Sequence, residues 1–182
     1  MRKLTKEILY KGQEKRTYRK VLSTCKKNHL SSEITAIIMS IYAIEHFYRY
    51  WGFRMVEYFA VVWSGVLSIV FKRPMRNYTI GVCQLGLSTI RNYYGASYYQ
   101  HSMNLQLNCF QDLREILSVM TIKNSVRILT YRIAPFLEQA QHIYPHSREN
   151  QLCYIGEQFN GRYSYGLMLN EVYEILDMQF SS

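Results

Sequence analysis

A helical pattern of apolar residues runs from Ser31 to Phe47, with the sequence SSEITAIIMSIYAIEHF. Ile34, Ile38 and Ile41 recur at intervals of four and three residues, which places them on one face of a helix. Glu45 follows Ile41 by four residues and is the carboxylate on that same face. A charge therefore stands where the pattern predicts a core residue.

The position of Glu45 has two interpretations. Burial disfavours the ionised form of a carboxylic acid, so a buried glutamic acid can keep its proton near neutral pH and donate it to a leaving group. Alternatively, the apolar face reaches the rim of the core at this point and the carboxylate is solvated. Residues downstream of Glu45 favour the first interpretation, in which Glu45 is a general acid.

The composition is typical of one domain with a sizeable core, since 48% of the 182 residues are hydrophobic and 15% aromatic. The net charge is +9, and residues 1–30 hold ten Lys or Arg against two Glu. We therefore predict a basic N-terminal arm or helix over residues 1–30 and one domain over residues 31–182. The arm can bind nucleic acid, anionic lipid or an acidic cell wall, or it can simply be a solvated helix.

Cysteine and histidine spacing indicates neither a metal site nor a cofactor. The four cysteines are scattered without a CxxC pair, and the five histidines form no HExxH motif. After Met1 no apolar segment precedes a small-residue cleavage site, so no secretory signal peptide is visible.

Helical periodicity continues through most of the chain and predicts a mainly α fold. The predicted helices beyond the first are residues 110–120, 126–143, 150–158 and 165–178. The apolar run from Met55 to Phe71 contains Glu57 and is shorter than the roughly 20 residues of a membrane span. A buried helix is the preferred interpretation of this run, and a surface that binds lipid or a hydrophobic substrate is the alternative.

Residues 77–87, with the sequence NYTIGVCQLGL, predict a short extended segment. Gly81 and Gly86 allow close approach of the backbone, and Ser88 is expected to cap the helix that follows. Gln84 lies between the two glycines, and its neutral amide both donates and accepts hydrogen bonds, which suits a group that orients a sugar.

Three blocks resemble those of soluble lytic transglycosylases and goose-type lysozymes. Residues 37–45 (IIMSIYAIE) are similar to the helix that ends in their catalytic glutamate, and residues 81–89 (GVCQLGLST) are similar to their Gly-Leu-Met-Gln-Ile-x-Pro-x-Thr motif. The third block, which begins at Asn124-Ser125-Val126 and ends at Phe159-Asn160-Gly161, is similar to their Asn-Ile start and Ala-x-Tyr-Asn-x-Gly end. Together the blocks cover roughly residues 33 to 176.

The resemblance implies a lysozyme-like α+β fold, mainly helical, with the extended segment lining a cleft. It also implies cleavage of the bond between N-acetylmuramic acid and N-acetylglucosamine in peptidoglycan, in the cell envelope or after secretion, or from the cytoplasm as in a phage endolysin. Glu45 would be catalytic, and seven residues would bind the glycan strand: Gly81, Val82, Gln84, Leu85, Phe159, Asn160 and Tyr163. Glu57 and Asp112 are the candidates for a second carboxylate.

The sequence departs from the family pattern at three positions. His46 follows the glutamate where serine is common, Leu87 replaces proline, and Phe159 replaces tyrosine. Residues 44–53 (IEHFYRYWGF) are also similar to the Glu-Asp-x-x-Phe-x-x-His-x-Gly motif of peptidoglycan glycosyltransferases, although no aspartate follows Glu45. A noncatalytic protein of glycan binding or cell-wall assembly and a basic nucleic-acid binder remain the alternatives.

Overall fold

The computed structural model of the protein describes residues 16–48, 51–96 and 104–180. Across these ranges the fold is mainly α, with eight α-helices, one 3-10 turn and two short antiparallel strand pairs. The helical part of the predicted fold class is therefore confirmed. None of the helices in the described ranges has the length and apolarity that a membrane crossing needs.

The helices are α1 (Arg16–Lys27), α2 (Ser32–Tyr48), α3 (Trp51–Phe71), α4 (Leu87–Tyr93), α5 (Phe110–Leu117), α6 (Ile122–Ile143), α7 (Arg148–Asn160) and α8 (Tyr163–Phe180). The 3-10 turn is Ser118–Met120, and the strands are β1 (Met75–Arg76), β2 (Thr79–Ile80), β3 (Leu85–Gly86) and β4 (Asn104–Leu105). Strand β1 pairs with β4, and β2 pairs with β3.

The chain divides into two compact units, which we describe separately. The first unit holds the described residues up to Tyr48 and those from Leu129 onward. The second holds the described residues from 51 to Ile128. Helix α6 belongs to both, because it begins in the second unit and continues into the first.

Helix α2 is the centre of the first unit. It contacts α1 and α8, and α8 in turn contacts α7. Every residue from Thr35 to Glu45 is buried, so α2 is covered all round and not along one stripe only. Ser31 caps its start, since the Ser31 hydroxyl accepts a hydrogen bond from the Ile34 N–H at 3.3 Å.

Arg148, on the first turn of α7, connects three helices of this unit. Its guanidinium pairs with Glu33 on α2 and donates to the Tyr173 hydroxyl on α8 at 3.0 Å. The guanidinium also lies over the Tyr173 ring, 4.8 Å from the centroid. Burial lowers the pKa of Arg148, but the Tyr173 hydroxyl and Glu33 outweigh this effect, so the pKa is raised.

The predicted division at residue 30 does not coincide with a division in the structure. Helix α1 packs on α2 and buries Tyr18, Val21 and Cys25, and burial raises the pKa of both Tyr18 and Cys25 to about 12. Residues 16–27 are therefore an integral part of the first unit, since their weak apolar stripe is covered. Residues 1–15 of the predicted arm lie outside the described residues.

The second unit is organised around α3, which contacts α5, β1 and β2. The predicted helix over residues 55–71 is confirmed, but only one of its faces is buried. Val61, Gly65 and Ser68 lie on the buried face, and the Ser68 hydroxyl accepts a hydrogen bond from the Leu107 N–H at 2.9 Å. The opposite face is exposed, because the helix is apolar all round while the unit covers one side of it.

Candidate functional site

Glu45 lies in the last turn of α2 and is buried, with a relative exposure of 5%. Ile41, one turn earlier, is fully buried, and Ile44 is nearly so. The interpretation of Glu45 as a solvated residue at the rim of the core is therefore wrong. The Glu45 side chain is therefore largely excluded from solvent.

Aromatic rings flank Glu45 on the same helix. Tyr42 and His46 stack with their ring centroids 5.0 Å apart and their planes at 22°, and Phe47 meets the His46 ring edge to face at 5.3 Å. Stacked and edge-on rings at these separations attract each other and hold one another's orientation. His46, which departs from the family pattern, thus acts in packing the end of α2.

The segment predicted to be extended is a β-hairpin in the second unit. Strands β2 and β3 pair Thr79 with Gly86 and Ile80 with Leu85, and the turn between them is Gly81-Val82-Cys83-Gln84. The ladder continues past the strands, since the Leu87 N–H donates to the Tyr78 carbonyl at 3.0 Å. Four of the predicted binding residues (Gly81, Val82, Gln84 and Leu85) therefore lie in or directly beside one tight turn.

Gln84 has a backbone φ of +50°, a conformation that residues other than glycine, asparagine and aspartate rarely adopt. Its side chain is fixed inside the turn, because Oε1 accepts from the Thr79 hydroxyl at 3.0 Å and Nε2 donates to the Gly81 carbonyl at 3.1 Å. Strained backbone of this kind is concentrated at functional sites. The Gln84 amide is therefore buried, and both the backbone and these hydrogen bonds set its position inside the hairpin.

Gly81 seats the hairpin against the start of α6. Its φ is +83°, and a Cβ at this position would lie 2.8 Å from the Val119 carbonyl oxygen and 2.9 Å from the Ser125 Oγ. The Ser125 hydroxyl itself donates to that carbonyl at 3.1 Å. The structure therefore brings the second family-like block, residues 81–89, against the beginning of the third, Asn124-Ser125-Val126.

The capping of α4 differs from the prediction. Gly86 is the N-cap residue and Ser88 is the second residue of the helix. The Asn77 side chain provides the cap from across the hairpin, because its Oδ1 accepts from the Ser88 N–H at 3.0 Å and its Nδ2 donates to the Ser88 hydroxyl at 2.9 Å. An asparagine distant in sequence thus replaces the local serine.

The predicted binding residues at the end of the third block lie where α7 gives way to α8 in the first unit. Asn160 is the exposed last residue of α7, Phe159 is half-buried beside it, and Tyr163 begins α8 with 61% of its surface exposed. Gly161 ends α7 with a φ of +79°, the left-handed conformation that glycine adopts readily at a helix end. Phe159 packs against the Tyr165 ring, with centroids 5.8 Å apart.

Arg132 is a residue of this region that the sequence analysis missed. It is buried on α6, where its Nη2 donates to the Gln158 carbonyl at 3.4 Å and its guanidinium lies 5.0 Å from the centroid of the Phe136 ring. Burial lowers the pKa of Arg132 to about 10. An arginine inside an apolar helical pattern was the available signal, and it places a positive charge beside the carbonyl end of α7.

Asp112, one of the two candidates for a second carboxylate, has a structural role. Its Oδ2 accepts from the Asn108 N–H at 2.7 Å and from the Cys109 N–H at 3.3 Å, and its Oδ1 lies 2.8 Å from Arg91 Nη2. These partners cap α5 and tie it to α4. Glu57, the other candidate, is half-buried on α3.

The predicted site residues are divided between the two units. Glu45, Phe159, Asn160 and Tyr163 belong to the first unit, and Gly81, Val82, Gln84 and Leu85 belong to the second. Within the described ranges no three His, Cys, Asp or Glu side chains are grouped as metal ligands would be. No protein-family model, curated protein or solved structure matches the chain.

Proposed function

We propose that this protein cleaves the glycan strands of peptidoglycan, at the bond between N-acetylmuramic acid and N-acetylglucosamine, as a lytic transglycosylase or muramidase. The observation that carries the proposal is the burial of Glu45 at 5% exposure in the last turn of a helix covered on all sides. Burial disfavours the ionised form of a carboxylic acid, which is the property that a general acid requires.

One carboxylate is sufficient for this reaction. Glu45 donates its proton to the glycosidic oxygen as the bond to the muramyl C1 breaks. The resulting carboxylate then accepts the proton of the muramyl 6-hydroxyl, whose oxygen attacks C1 and closes a 1,6-anhydro ring, so the enzyme returns to its starting state. If water attacks C1 instead, the same carboxylate activates the water and the product is hydrolysed.

Each unit, taken by itself, holds polar or aromatic residues that would contact a glycan strand. The backbone of Gly81 and Val82, which is half-buried, would position an acetamido group, and the buried Gln84 and Leu85 would hold the turn in shape. Asn160 is exposed and would donate or accept at a sugar hydroxyl. Phe159 and Tyr163 would pack against a ring face of the sugar.

The proposed partners are therefore peptidoglycan strands, and the basic N-terminal residues would contact the anionic cell wall or a membrane surface. The corresponding locations are the cell envelope or the exterior of the cell, or the cytoplasm for an enzyme released as phage endolysins are.

Digestion of purified peptidoglycan tests the proposal, with the soluble products identified by mass spectrometry. We expect muropeptides from the native chain, with anhydromuramyl ends for a transglycosylase and reducing ends for a muramidase. Glu45→Gln should lower the rate by about 10² to 10⁴, the usual contribution of a general acid or base. Glu138→Gln, which changes an exposed carboxylate of α6, is the matched control and should retain the native rate.

Two results would contradict the assignment. Product released by Glu45→Gln at the native rate removes Glu45 from the mechanism. Binding of the native chain to peptidoglycan without any release of product indicates the noncatalytic glycan-binding alternative instead.

A further inference from the structure

The outward face of α3 carries large apolar side chains in an unbroken stripe. Relative exposures are 66% for Val56, 64% for Phe59, 68% for Trp63 and 56% for Val70. At 100° per residue these four positions fall within about 60° of one another around the helix. Phe71, at the end of the helix, is exposed by 65%.

This stripe is large for a surface without a partner. Aromatic side chains present roughly 150 to 250 Å² each when fully exposed, so Phe59, Trp63 and Phe71, at about two-thirds exposure, present on the order of 400 Å², to which Val56 and Val70 add. The total area is comparable to the largest apolar patch of a typical monomeric protein, and such patches often mark an interaction site.

The stripe cannot turn inward, because the opposite face of α3 is already bound to the rest of the second unit. Val61 and Ser68 are fully buried there, and the Ser68 hydroxyl accepts the Leu107 N–H at 2.9 Å. Gly65 is so close to α5 that a Cβ on it would lie 2.7 Å from Leu113 Cδ1. Rotation of the helix would break these contacts, so the stripe is a fixed feature of the surface.

Positive charge is concentrated at the carboxyl end of the stripe. Lys72, Arg73 and Arg76 follow the helix directly and are all exposed. Lys72 also donates a long hydrogen bond, 3.5 Å, to the Asn108 carbonyl, which keeps its ammonium group at this end of the unit. Between residues 55 and 76 the one acidic residue is Glu57, about 140° around the helix from the centre of the stripe.

This charge pattern separates two possible occupants of the stripe. In a parallel pair of α3 helices, Lys72 and Arg73 would face their own copies. In an antiparallel pair they would meet the amino end of the partner helix, which carries the positive end of the helix macrodipole. Both arrangements bring like charges together, whereas a surface of anionic phosphate groups neutralises them.

We propose that α3 and the basic residues after it bind the surface of an anionic lipid bilayer. The helix lies in the plane of the membrane, its apolar stripe enters the boundary between headgroups and acyl chains, and Lys72, Arg73 and Arg76 contact lipid phosphates. Trp63, on the exposed stripe, is of a residue type that is enriched at membrane–water interfaces. This inference is independent of the proposed glycosidase function and of the N-terminal basic residues.

Sedimentation with lipid vesicles tests the inference on the full chain. We expect binding to vesicles of phosphatidylcholine mixed with phosphatidylglycerol, weaker binding to phosphatidylcholine alone, and loss of the difference when salt screens the charges. The double variant Phe59→Ala/Trp63→Ala should bind the anionic vesicles about tenfold or more weakly, since it removes the aromatic part of the stripe. Arg73→Gln/Arg76→Gln should lower binding to anionic vesicles and leave binding to neutral vesicles unchanged.

The matched control is Tyr131→Ala/Ile143→Ala, which removes two half-exposed apolar side chains from α6 and should bind as the native chain does. Trp51→Phe leaves Trp63 as the single tryptophan of the chain, and its emission should shift to the blue and be quenched by brominated lipid. Native binding by Phe59→Ala/Trp63→Ala, or equal binding to neutral and anionic vesicles, would overturn the proposal. A dimer that this variant abolishes, without vesicle binding by the native chain, would assign the stripe to a second copy instead.

Discussion

Gly156 on α7 and Gly166 on α8 meet backbone to backbone, since a Cβ built on Gly156 would lie 2.6 Å from the Gly166 Cα. A Cβ on Gly166 would in turn collide with the Cys153 carbonyl. The two helices therefore cross with no side chain between them. Because α8 also packs on α2, this crossing supports the helix that carries Glu45.

Gly166→Ala should destabilise the protein by about 3 kcal/mol, although alanine in an open helix is more favourable than glycine by about 1 kcal/mol. The sign reverses here because the obstacle is backbone and cannot move aside. Gly65→Ala is the matched control, since the atom it meets, Leu113 Cδ1, ends a flexible side chain. Urea unfolding of both variants measures the loss of stability. Equal losses of unfolding free energy would contradict the expectation that a backbone obstacle costs more than a side-chain obstacle.

Substitution of Gly81, in the turn of the hairpin, should likewise destabilise the protein. Gly81→Ala should cost about 3 kcal/mol, because it combines a φ of +83° with contacts below 3 Å to Val119 and Ser125. Gly95 has a φ of +90° but open space around it, so Gly95→Ala should cost only the backbone part, about 1 kcal/mol. Thermal or urea unfolding should rank the two variants in this order, and the reverse order would contradict the seating of the hairpin.

Two substitutions of Gln84 distinguish the cost of its backbone strain from the contribution of its side-chain hydrogen bonds. Gln84→Ala keeps the φ of +50° and loses the bonds to Thr79 and Gly81, so we expect a loss of about 2 kcal/mol. Gln84→Gly loses the same bonds but removes the strain, and should be more stable than the alanine variant by about 1 kcal/mol. If alanine is the more stable of the two in urea unfolding, the left-handed conformation is wrong.

The helices were predictable because their signals are local. The apolar period predicted α2 to within a residue at each end. The sequence has no local signal for the division into two units, since the boundary falls inside α6 and not in a linker. The exposed face of α3 could not be predicted either, because the sequence of a helix that is apolar all round does not indicate which face the fold covers.

The candidate site was predictable to a smaller degree. The burial of Glu45 follows from its place on the apolar face of α2. The segment of residues 77–87 was predicted as extended, and its strands agree with that, but the turn at residues 81–84 was not predicted. The left-handed φ of Gln84 and the contact of Gly81 with Ser125 arise from packing between residues distant in sequence. The crossing at Gly156 and Gly166 also arises from packing between helices, and the sequence signal for it was an isolated glycine inside each helical pattern.

The pairing of Arg91 with Asp112 should make stability depend on pH. Burial alone would raise the pKa of Asp112, but the Asn108 N–H, the Arg91 charge and Cys109 together lower it below its usual value. A carboxyl whose pKa is lower in the folded state stabilises fully above its unfolded pKa, about 3.9, and that stabilisation is lost as the pH falls through the folded pKa. The contribution of the Asp112 carboxylate to the free energy of unfolding is therefore about constant from pH 5 to 7 and becomes smaller below about pH 4.

Asp112→Asn should cost about 2 kcal/mol at neutral pH, because it leaves Arg91 with Glu115 as its remaining ion-pair partner while asparagine still caps α5. In urea titrations across this pH range the stabilities of the native chain and the variant should converge below pH 4, about where the carboxyl protonates. Glu138→Gln, an exposed change, should show a pH profile close to that of the native chain. A constant gap between native chain and Asp112→Asn down to the lowest pH would mean that the carboxylate charge contributes nothing and that the amide fails for a steric reason.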